Sequence, residues 1–460
     1  MRRPLTLGFA LFLCSLQAHA AAVDTAARRA AERDLFKQAV EIPTVAGRGE
    51  MPRLVKLLSA EFRKAGIKDI TVKQHGTTES MIVRWPAAKP SGRKPILLLA
   101  HMDVVEAKRA DWVNDPFVFR EADGYYWGRG ASDNKAGMIA IVASLVRLRA
   151  AGFEPTRDIV VLFTGDEETD MHGAKLASTE WRALIDAEFA LNSDGGGGSV
   201  YKDGRVESFS MQVAEKTYAD FRLTATNRGG HSSAPRADNA IYQLAGALKA
   251  LEEYRFTPML NDATRAYFGS IAEKDKGAFG EQVKAWLADP TNMEKADAVE
   301  ANEPGYTRTR CVATLLSGGH AVNALPQRAE ANVNCRIFPG VKPADVQQEL
   351  QTIAGKDIKV ELVGGGDWSE PSPLRDDVTT AYRNAVTKRF PGAPIVPSMS
   401  AGATDAIYLR GAGIPTYGVA GLWGFVGEPH GAHGLNERVN IEGFHDQIDI
   451  MESMVRELAQ

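Results

Sequence analysis

The chain has 460 residues, 44% hydrophobic and 24% charged, an ordinary globular composition with room for two or three domains. A formal net charge of -4 argues against the concentrated basic face that nucleic-acid binding needs, so no nucleic-acid partner is expected.

In chain order, the first twenty residues, MRRPLTLGFALFLCSLQAHA, set two arginines before an apolar run from Leu5 to Leu16 and a small-x-small site, Ala18-His19-Ala20. That is the pattern of a secretory signal, so residues 1–20 are expected to be removed on export to a periplasmic or extracellular compartment. The run is too short for a permanent membrane span. Phe12 and Leu13 precede Cys14 where lipid attachment would want a small residue, so export without a lipid anchor is expected.

Residues 24–41 and 51–65 each carry one apolar side and read as helices, closed by Pro43 and Gly66. Strand-like runs follow at 70–73, 80–85, 96–100 and 117–127. The third ends in His101-Met102-Asp103. Side chains two apart in an extended chain share a side, so the imidazole can face a metal while Asp103 holds its surroundings. Taken alone, the triplet reads first as a strand end in solvent, and only the motifs downstream reverse that.

Asp133 stands in a glycine-bracketed loop, GRGASDNKAG, ahead of a helical pattern carrying Met138, Ile141, Val142, Leu145 and Val146. The loop lacks the Gly-Lys-Ser/Thr ending of a phosphate loop, and Asp133 by itself fits a helix cap as well as a ligand. The strand 158–163 ends in Thr164-Gly165-Asp166-Glu167-Glu168, and the strand 187–191 ends in Asn192-Ser193-Asp194 before four glycines. Alternating strands and helices predict an α/β fold with a mostly parallel, doubly wound sheet, where ligands gather beyond the carboxyl ends of the strands.

The texture changes near residue 211. Residues 209–226 read as paired strands, GGHSSAP brings His231, and 239–254 is a helix. Residues 255–305 are polar, helical and without a chemical motif. Cys311 and Cys335 lie in strand-like runs on either side of a loop near Asn323. A disulfide, which an exported protein keeps, and two buried thiols both fit them. With a helix at 343–353 and a strand at 358–363, this stretch reads as an inserted α+β lid or dimerisation domain over 211–363. It interrupts a catalytic domain formed by 21–210 and 364–460. The doubly wound texture returns, and GFVGEPHGAHGLN supplies His430 and His433 before a closing helix at 441–458.

Gathered, His101, His433, Asp133, Glu168 and Asp194, with Glu167 beside them, form a mixed imidazole and carboxylate set suited to Zn²⁺, Co²⁺ or Mn²⁺. Five ligands exceed what one tetrahedral ion takes. Two divalent ions roughly 3.5 to 4 Å apart, sharing one carboxylate and activating one water, use them economically.

The motifs LLAHMDVV, GRGASDNKAG, TGDEE, NSDGG, GGHSSAP, CRIFPG, AGATDA and HGAHGLNE, in this order, resemble the M20 family of dinuclear zinc peptidases and deacylases. That family includes the carboxypeptidase G, succinyl-diaminopimelate desuccinylase, acetylornithine deacetylase and carnosine dipeptidase relatives. The resemblance implies that His101 with Glu168, and His433 with Asp194, serve the two metals, with Asp133 bridging. It implies that Asp103 orients His101 and that Glu167 is the general base, taking a proton from water and returning it to the leaving amine. His430 is then a packing neighbour. It further implies that His231 reaches the developing oxyanion, often from a partner subunit, and that Arg336 and Asn323 hold a substrate carboxylate. Read from the residues alone, Arg336 is also a surface strand residue, and His231 and Asn323 are also turn residues.

The implied activity is hydrolysis of an amide next to a free carboxylate, as a carboxypeptidase or dipeptidase. Peptides or N-acyl amino acids are the substrates, and a homodimer can form through the inserted domain. An N-acyl-amino-acid deacylase is the alternative within the same chemistry. An aminopeptidase would want an acid where Arg336 stands, and a non-catalytic binding module would have lost a ligand or the base; none is missing.

Overall fold

Two helices, α1 (Phe9–Val40) and α2 (Met51–Lys64), precede a hairpin of β1 (Asp69–His75) and β2 (Thr78–Trp85) in this computed structural model, which describes residues 9–460. Next come β3 (Ile96–His101), the short pair β4 (Arg120–Ala122) and β5 (Tyr125–Trp127), α3 (Lys135–Ala150) and β6 (Ile159–Thr164). Small helices α4 (His172–Ser178) and α5 (Arg182–Ile185) lead to β7 (Phe189–Val200) and β8 (Val206–Glu215).

The middle of the chain holds β9 (Thr217–Thr226), β10 (Gly230–His231), α6 (Ala240–Glu253), α7 (Asp262–Lys274), α8 (Ala278–Leu287) and α9 (Met293–Glu300). It continues with β11 (Arg310–Gly318), β12 (Ala324–Leu325), β13 (Arg328–Ile337), α10 (Pro343–Ala354) and β14 (Ile358–Gly365). The chain closes with α11 (Asp376–Arg389), β15 (Ile395–Ser400), α12 (Ala406–Gly411), β16 (Thr416–Phe425), β17 (Arg438–Asn440) and α13 (Ile441–Leu458).

The large sheet has the order β1-β2-β6-β3-β7-β16-β8-β15. Its centre, β6-β3-β7-β16, is parallel, and the β1–β2 hairpin joins it antiparallel at one edge. β3 and β6, ILLLAH and IVVLFT, are buried at every position because helices cover both faces, which is why they read as continuous apolar runs. Leu98, Val161 and Phe163 face α2, α3 and α13, while Leu97, Leu99 and Leu162 face α4, α5 and α12. The alternation of side chains along an extended strand thus feeds two cores, and the strand ends are left to meet one another. A second, antiparallel sheet, β11-β13-β9-β14, is backed by α6 and α10.

Several elements differ from the sequence reading. The run 117–127 is two short strands turned at Asp123 and Gly124. β7 does not stop at Asp194 but continues through the glycines, paired with β16 and β8. A Cβ at Gly196 would lie 2.6 Å from the Gly418 carbonyl, and one at Gly198 would lie 2.4 Å from the Phe209 ring, so these glycines permit close strand packing. β8 and β9 are not a pair: β8 belongs to the large sheet and β9 to the small one, so the chain crosses at Lys216. The helices of 255–305 form a small core of Phe268, Val283, Trp286 and Val299, and α7 packs against β15 of the large sheet.

Cys311 and Cys335 are directly opposed across β11 and β13 and are bonded as a disulfide. Of the signal expected over 1–20, residues 1–8 lie outside the described residues. Among the described residues no helix is long and apolar enough to cross a membrane.

Candidate metal centre

Five separate stretches of chain, the end of β3, the loop before α3, the turn after β6, β7 and the loop after β16, bring imidazoles and carboxylates together at the carboxyl edge of the large sheet. His101, the last residue of β3, is buried and held at both nitrogens. Nδ1 is 3.0 Å from the Asp103 carbonyl, and Nε2 is 3.0 Å from Asp133 Oδ1 and 3.8 Å from Asp194 Oδ1. His433 lies in the glycine-rich loop at φ 56°, a left-handed conformation uncommon for a side-chain-bearing residue. Its Nε2 is 2.8 Å from Glu168 Oε2 and 3.2 Å from Asp133 Oδ2. Asp133 therefore gives one oxygen to each imidazole.

Three overlapping groups have ligand atoms within 4.8 Å of one another: His101-Asp133-Asp194, His101-Glu167-Glu168 and Asp133-Glu168-His433. The shortest contacts put His433 with Glu168 and His101 with Asp194. The resemblance implied the reverse pairing, which sequence order cannot decide because the loops cross only in the fold. His430 stays outside these groups, its Nδ1 3.5 Å from Ser132 Oγ.

A buried carboxylate that the sequence reading gave no role holds the Asp133 loop. Glu437 accepts from Arg129 Nη1 at 2.7 Å, from the Gly130, Ser132 and Asp133 N–H groups at 2.8, 2.7 and 2.9 Å, and from Ser132 Oγ at 3.0 Å. Its side chain has 0% exposure. One acid thus satisfies three of the five backbone N–H groups from 129 to 133, those of Arg129 and Ala131 going to the Pro116 and Gly128 carbonyls. The only signal in the sequence was its place at the end of HGAHGLNE.

Asp103 lies beside His101 and also meets the acidic turn. Its carboxylate is 3.5 Å from His101 Nδ1, which also meets the Asp103 backbone carbonyl at 3.0 Å. The two carboxylate oxygens accept from the Glu167 and Glu168 N–H groups at 3.1 and 3.0 Å. Asp103 therefore fixes the backbone of the acidic turn, and the two glutamates diverge from it.

Burial pushes Glu168 up to about 7, with the Asp133 charge adding to the effect. Burial also pushes Asp194 up to about 7, Asp133 again adding and His101 opposing. Glu167 is lifted well above its ordinary range, first by burial. For Asp133, burial is outweighed by hydrogen bonds from His101 and His433, which hold it well below the usual carboxylate range. The Asp133 hydrogen bond and the charge of Glu168 raise His433 to about 9. A site with this excess of buried acid calls for positive charge.

Glu168 Oε1 is buried with no hydrogen-bond partner, an atom placed to ligate and otherwise unsatisfied. His101, His433, Asp133, Glu168 and Asp194 therefore fit a pair of divalent ions sharing Asp133. A cavity of about 430 Å³ opens from Asp133 and Asp194, and Tyr125, Leu422, Trp423, Phe425 and Val439 are in its walls.

His231, Asn323 and Arg336 are not in this cluster. His231 and Ala324 pair across β10 and β12, and the Asn323 carbonyl accepts from Ser232 N at 3.0 Å, so His231 and Asn323 are neighbours on one exposed ribbon. Arg336 lies on β13 with its guanidinium 4.9 Å over the Tyr218 ring.

Comparison with known proteins gives one family match: the profile of Peptidase family M20/M25/M40 fits residues 97–457. N-fatty-acyl-amino acid synthase/hydrolase PM20D1.1 of Danio rerio is 28% identical over 439 residues, covering 90% of this chain and 83% of the relative. Aminoacylase-1 of Sus scrofa is 28% identical over 437 residues, covering 92% and 94%. Among solved structures, the M20 family metallo-carboxypeptidase Sso-CP2 from Sulfolobus solfataricus superposes with a TM-score of 0.68 at 20% identity, covering 92% of this chain and 98% of that one. Human carnosine dipeptidase 1 superposes with a TM-score of 0.58 at 15% identity, covering 94% and 97%. These likenesses agree with the mixed α/β fold built on a mostly parallel central sheet.

Proposed function

Because this chain belongs to Peptidase family M20/M25/M40, we propose that it is an exported dinuclear-metal amidohydrolase. Its substrate is an amide whose nitrogen belongs to an amino acid bearing a free carboxylate. The observation that carries this reading is the convergence of His101, Asp133, Glu168, Asp194 and His433 around Glu167. Export rests on the pattern of residues 1–20, with a periplasmic or extracellular destination.

His101, Asp133, Glu168, Asp194 and His433 would hold two divalent ions, which would supply Lewis-acid polarisation of the amide carbonyl and a more acidic water. Zn²⁺ suits these donors, as do Co²⁺ and Mn²⁺. Glu167 takes the proton from the water and returns it to the leaving amine. Asp103 keeps Glu167 and Glu168 pointing in different directions by holding both their N–H groups. Glu437 keeps Asp133 between the two imidazoles.

Arg336, with Asn323, binds the substrate carboxylate, its planar fork matching two oxygens. His231 steadies the oxyanion from the partner subunit of a homodimer joined through the inserted domain. Exposed Val312, Leu315 and Leu316 on β11, the unpaired edge of the small sheet, support that interface.

The first reading is a carboxypeptidase or dipeptidase. A second, N-acyl-amino-acid deacylase, is favoured by the names of the Danio rerio and Sus scrofa relatives, and the walls of the cavity beside Asp133 and Asp194 suit an acyl chain. Hydrolysis of N-acyl amino acids, free dipeptides and C-amidated dipeptides, each before and after chelation, tests both. The first two classes should be cut and the third spared, chelation should stop turnover, and added Zn²⁺, Co²⁺ or Mn²⁺ should restore it. Cleavage of C-amidated, N-free dipeptides alone would remove the carboxylate requirement.

A further inference from the structure

Behind the acidic turn lies a chain of polar side chains that the proposed reaction does not use. Ser80 Oγ on β2 is 2.8 Å from His75 Nε2 at the end of β1, and His75 Nδ1 is 3.4 Å from Asp166 Oδ2. Asp166 immediately precedes Glu167, and both its carboxylate oxygens accept from the Gly173 N–H at 3.1 Å. The serine, imidazole and carboxylate are arranged like a nucleophilic triad, yet Ser80 has 0% exposure and no substrate carbonyl can reach it. A nucleophilic role is therefore excluded, and what the chain can do is hold Asp166.

The fit is tight. A Cβ at Gly173 would stand 2.6 Å from Ser80 Oγ, 2.8 Å from Asp166 Oδ1 and 2.9 Å from His75 Cε1, so the absence of a side chain there is what lets the three groups close up. The same turn is tied at its next two residues by Asp103, which accepts from the Glu167 and Glu168 N–H groups. It is also tied to the hairpin by Thr78 Oγ1, which donates to the Gly165 carbonyl at 2.9 Å. The turn is thus gripped from two sides, by β3 through Asp103 and by the β1–β2 hairpin through Thr78 and His75. Asp103 binds the backbone of the two glutamates, whereas His75 faces the side chain of the residue before them, its Nδ1 at 3.4 Å. The Gly173 N–H and the Thr169 and Met171 N–H groups hold Asp166 from its own loop, and the hairpin closes on its carboxylate from the far side.

We propose that His75, buttressed by Ser80, is a positioning residue for Glu167, holding Asp166 so that the general base keeps its aim. The Ser80 hydroxyl donates to Nε2, which fixes the tautomer that carries a proton on Nδ1 toward Asp166. The proposal rests on Glu167 being the general base of an amide hydrolase. The residue touches neither substrate nor metal ligand, so its removal alters the rate and leaves the metals in place.

The test compares His75→Leu, His75→Asn, Ser80→Ala and Glu167→Gln, with kcat, KM and metal content measured for each. His75→Asn offers an amide N–H in the place of Nδ1–H. His75→Leu should lower kcat about 10- to 100-fold, as loss of an outer hydrogen-bond partner does, with KM unchanged and two ions retained. His75→Asn should recover most of that loss, and Ser80→Ala should fall between. The proposal is overturned if His75→Leu keeps wild-type kcat, if its loss merely follows metal content, or if His75→Asn is as impaired as His75→Leu. Should His75→Leu fail to fold, Ser80→Ala decides, because it removes one hydroxyl: an unchanged kcat overturns the proposal. Retained turnover in Glu167→Gln would sink the functional reading instead, so the two failures are distinct.

Discussion

Replacing Glu437 tests whether the metal centre is assembled by its own ligands or by the buried acid behind them. Glu437→Ala strips five contacts at once: Arg129 Nη1, three backbone N–H groups and the Ser132 hydroxyl, all between 2.7 and 3.0 Å. Arg129 and Glu437 are almost completely buried, so Arg129 is left charged without its partner. Breaking a buried pair in this way costs about 3–5 kcal/mol. Glu437→Gln keeps the shape but turns an NH₂ against either Arg129 and Gly130 N or Ser132 and Asp133 N, at about 1–3 kcal/mol for each donor left unmatched.

Urea unfolding of the metal-free variants gives these differences directly, and titration with Zn²⁺ gives the second readout. Both variants should bind the ions about 10- to 100-fold more weakly, because Asp133 loses the loop that presents it. If Glu437→Gln unfolds within about 1 kcal/mol of wild type and binds two ions unchanged, the clamp is not what holds Asp133, and the reasoning fails.

Glu167→Gln should retain both ions and lose about 10²- to 10⁴-fold in kcat, the usual contribution of a positioned base; metal analysis beside steady-state kinetics checks it. Cys311→Ala with Cys335→Ala opens a loop of sequence separation 24 and should destabilise the small sheet by about 3.5 kcal/mol, read by calorimetry, with metal binding at the large sheet unchanged. Lys216 is buried where the chain passes between the sheets, donating from Nζ to the Arg308 carbonyl at 2.6 Å, and burial lowers it to about 8. Between pH 8 and the ordinary lysine value the unfolded chain binds the extra proton, so this group makes stability rise with pH over that window. Wild type minus Lys216→Met should show the rise in urea midpoints, and a flat difference would refute the depressed value.

Much of the centre was legible because its ligands sit where apolar strands stop. ILLLAH and IVVLFT carry no charge until His101 and the Asp166–Glu168 turn, and a strand buried on both faces can admit polar side chains only at its end. Asp133 and His433 were found by glycines that bracket them. The glycines after Asp194 misled for the same reason. Glycine is a common strand breaker, but here it admits Gly418 and the Phe209 ring at distances no Cβ allows, and β7 runs on. The disulfide could not be settled from the sequence because a shift of one residue in β11 would turn Cys311 away from Cys335, and only the realised register opposes them.

What the sequence hid was the second layer of acids. Glu437 lies 304 residues from Asp133, and no local pattern joins an acid after a glycine loop to a turn on another strand. Asp103 was seen beside its neighbour His101, but the turn its carboxylate also meets was not, since spacing along one strand suggests only partners on that strand. Metal ligands can be recognised by residue type, because the ion dictates the donor. The residues that aim them are chosen by whichever backbone donors need an acceptor, and that need exists only after folding. At this centre the aiming groups are themselves carboxylates buried against N–H groups. The acid that makes the site attractive to cations is therefore held in place by further acid, whose charge is balanced by backbone donors and by Arg129.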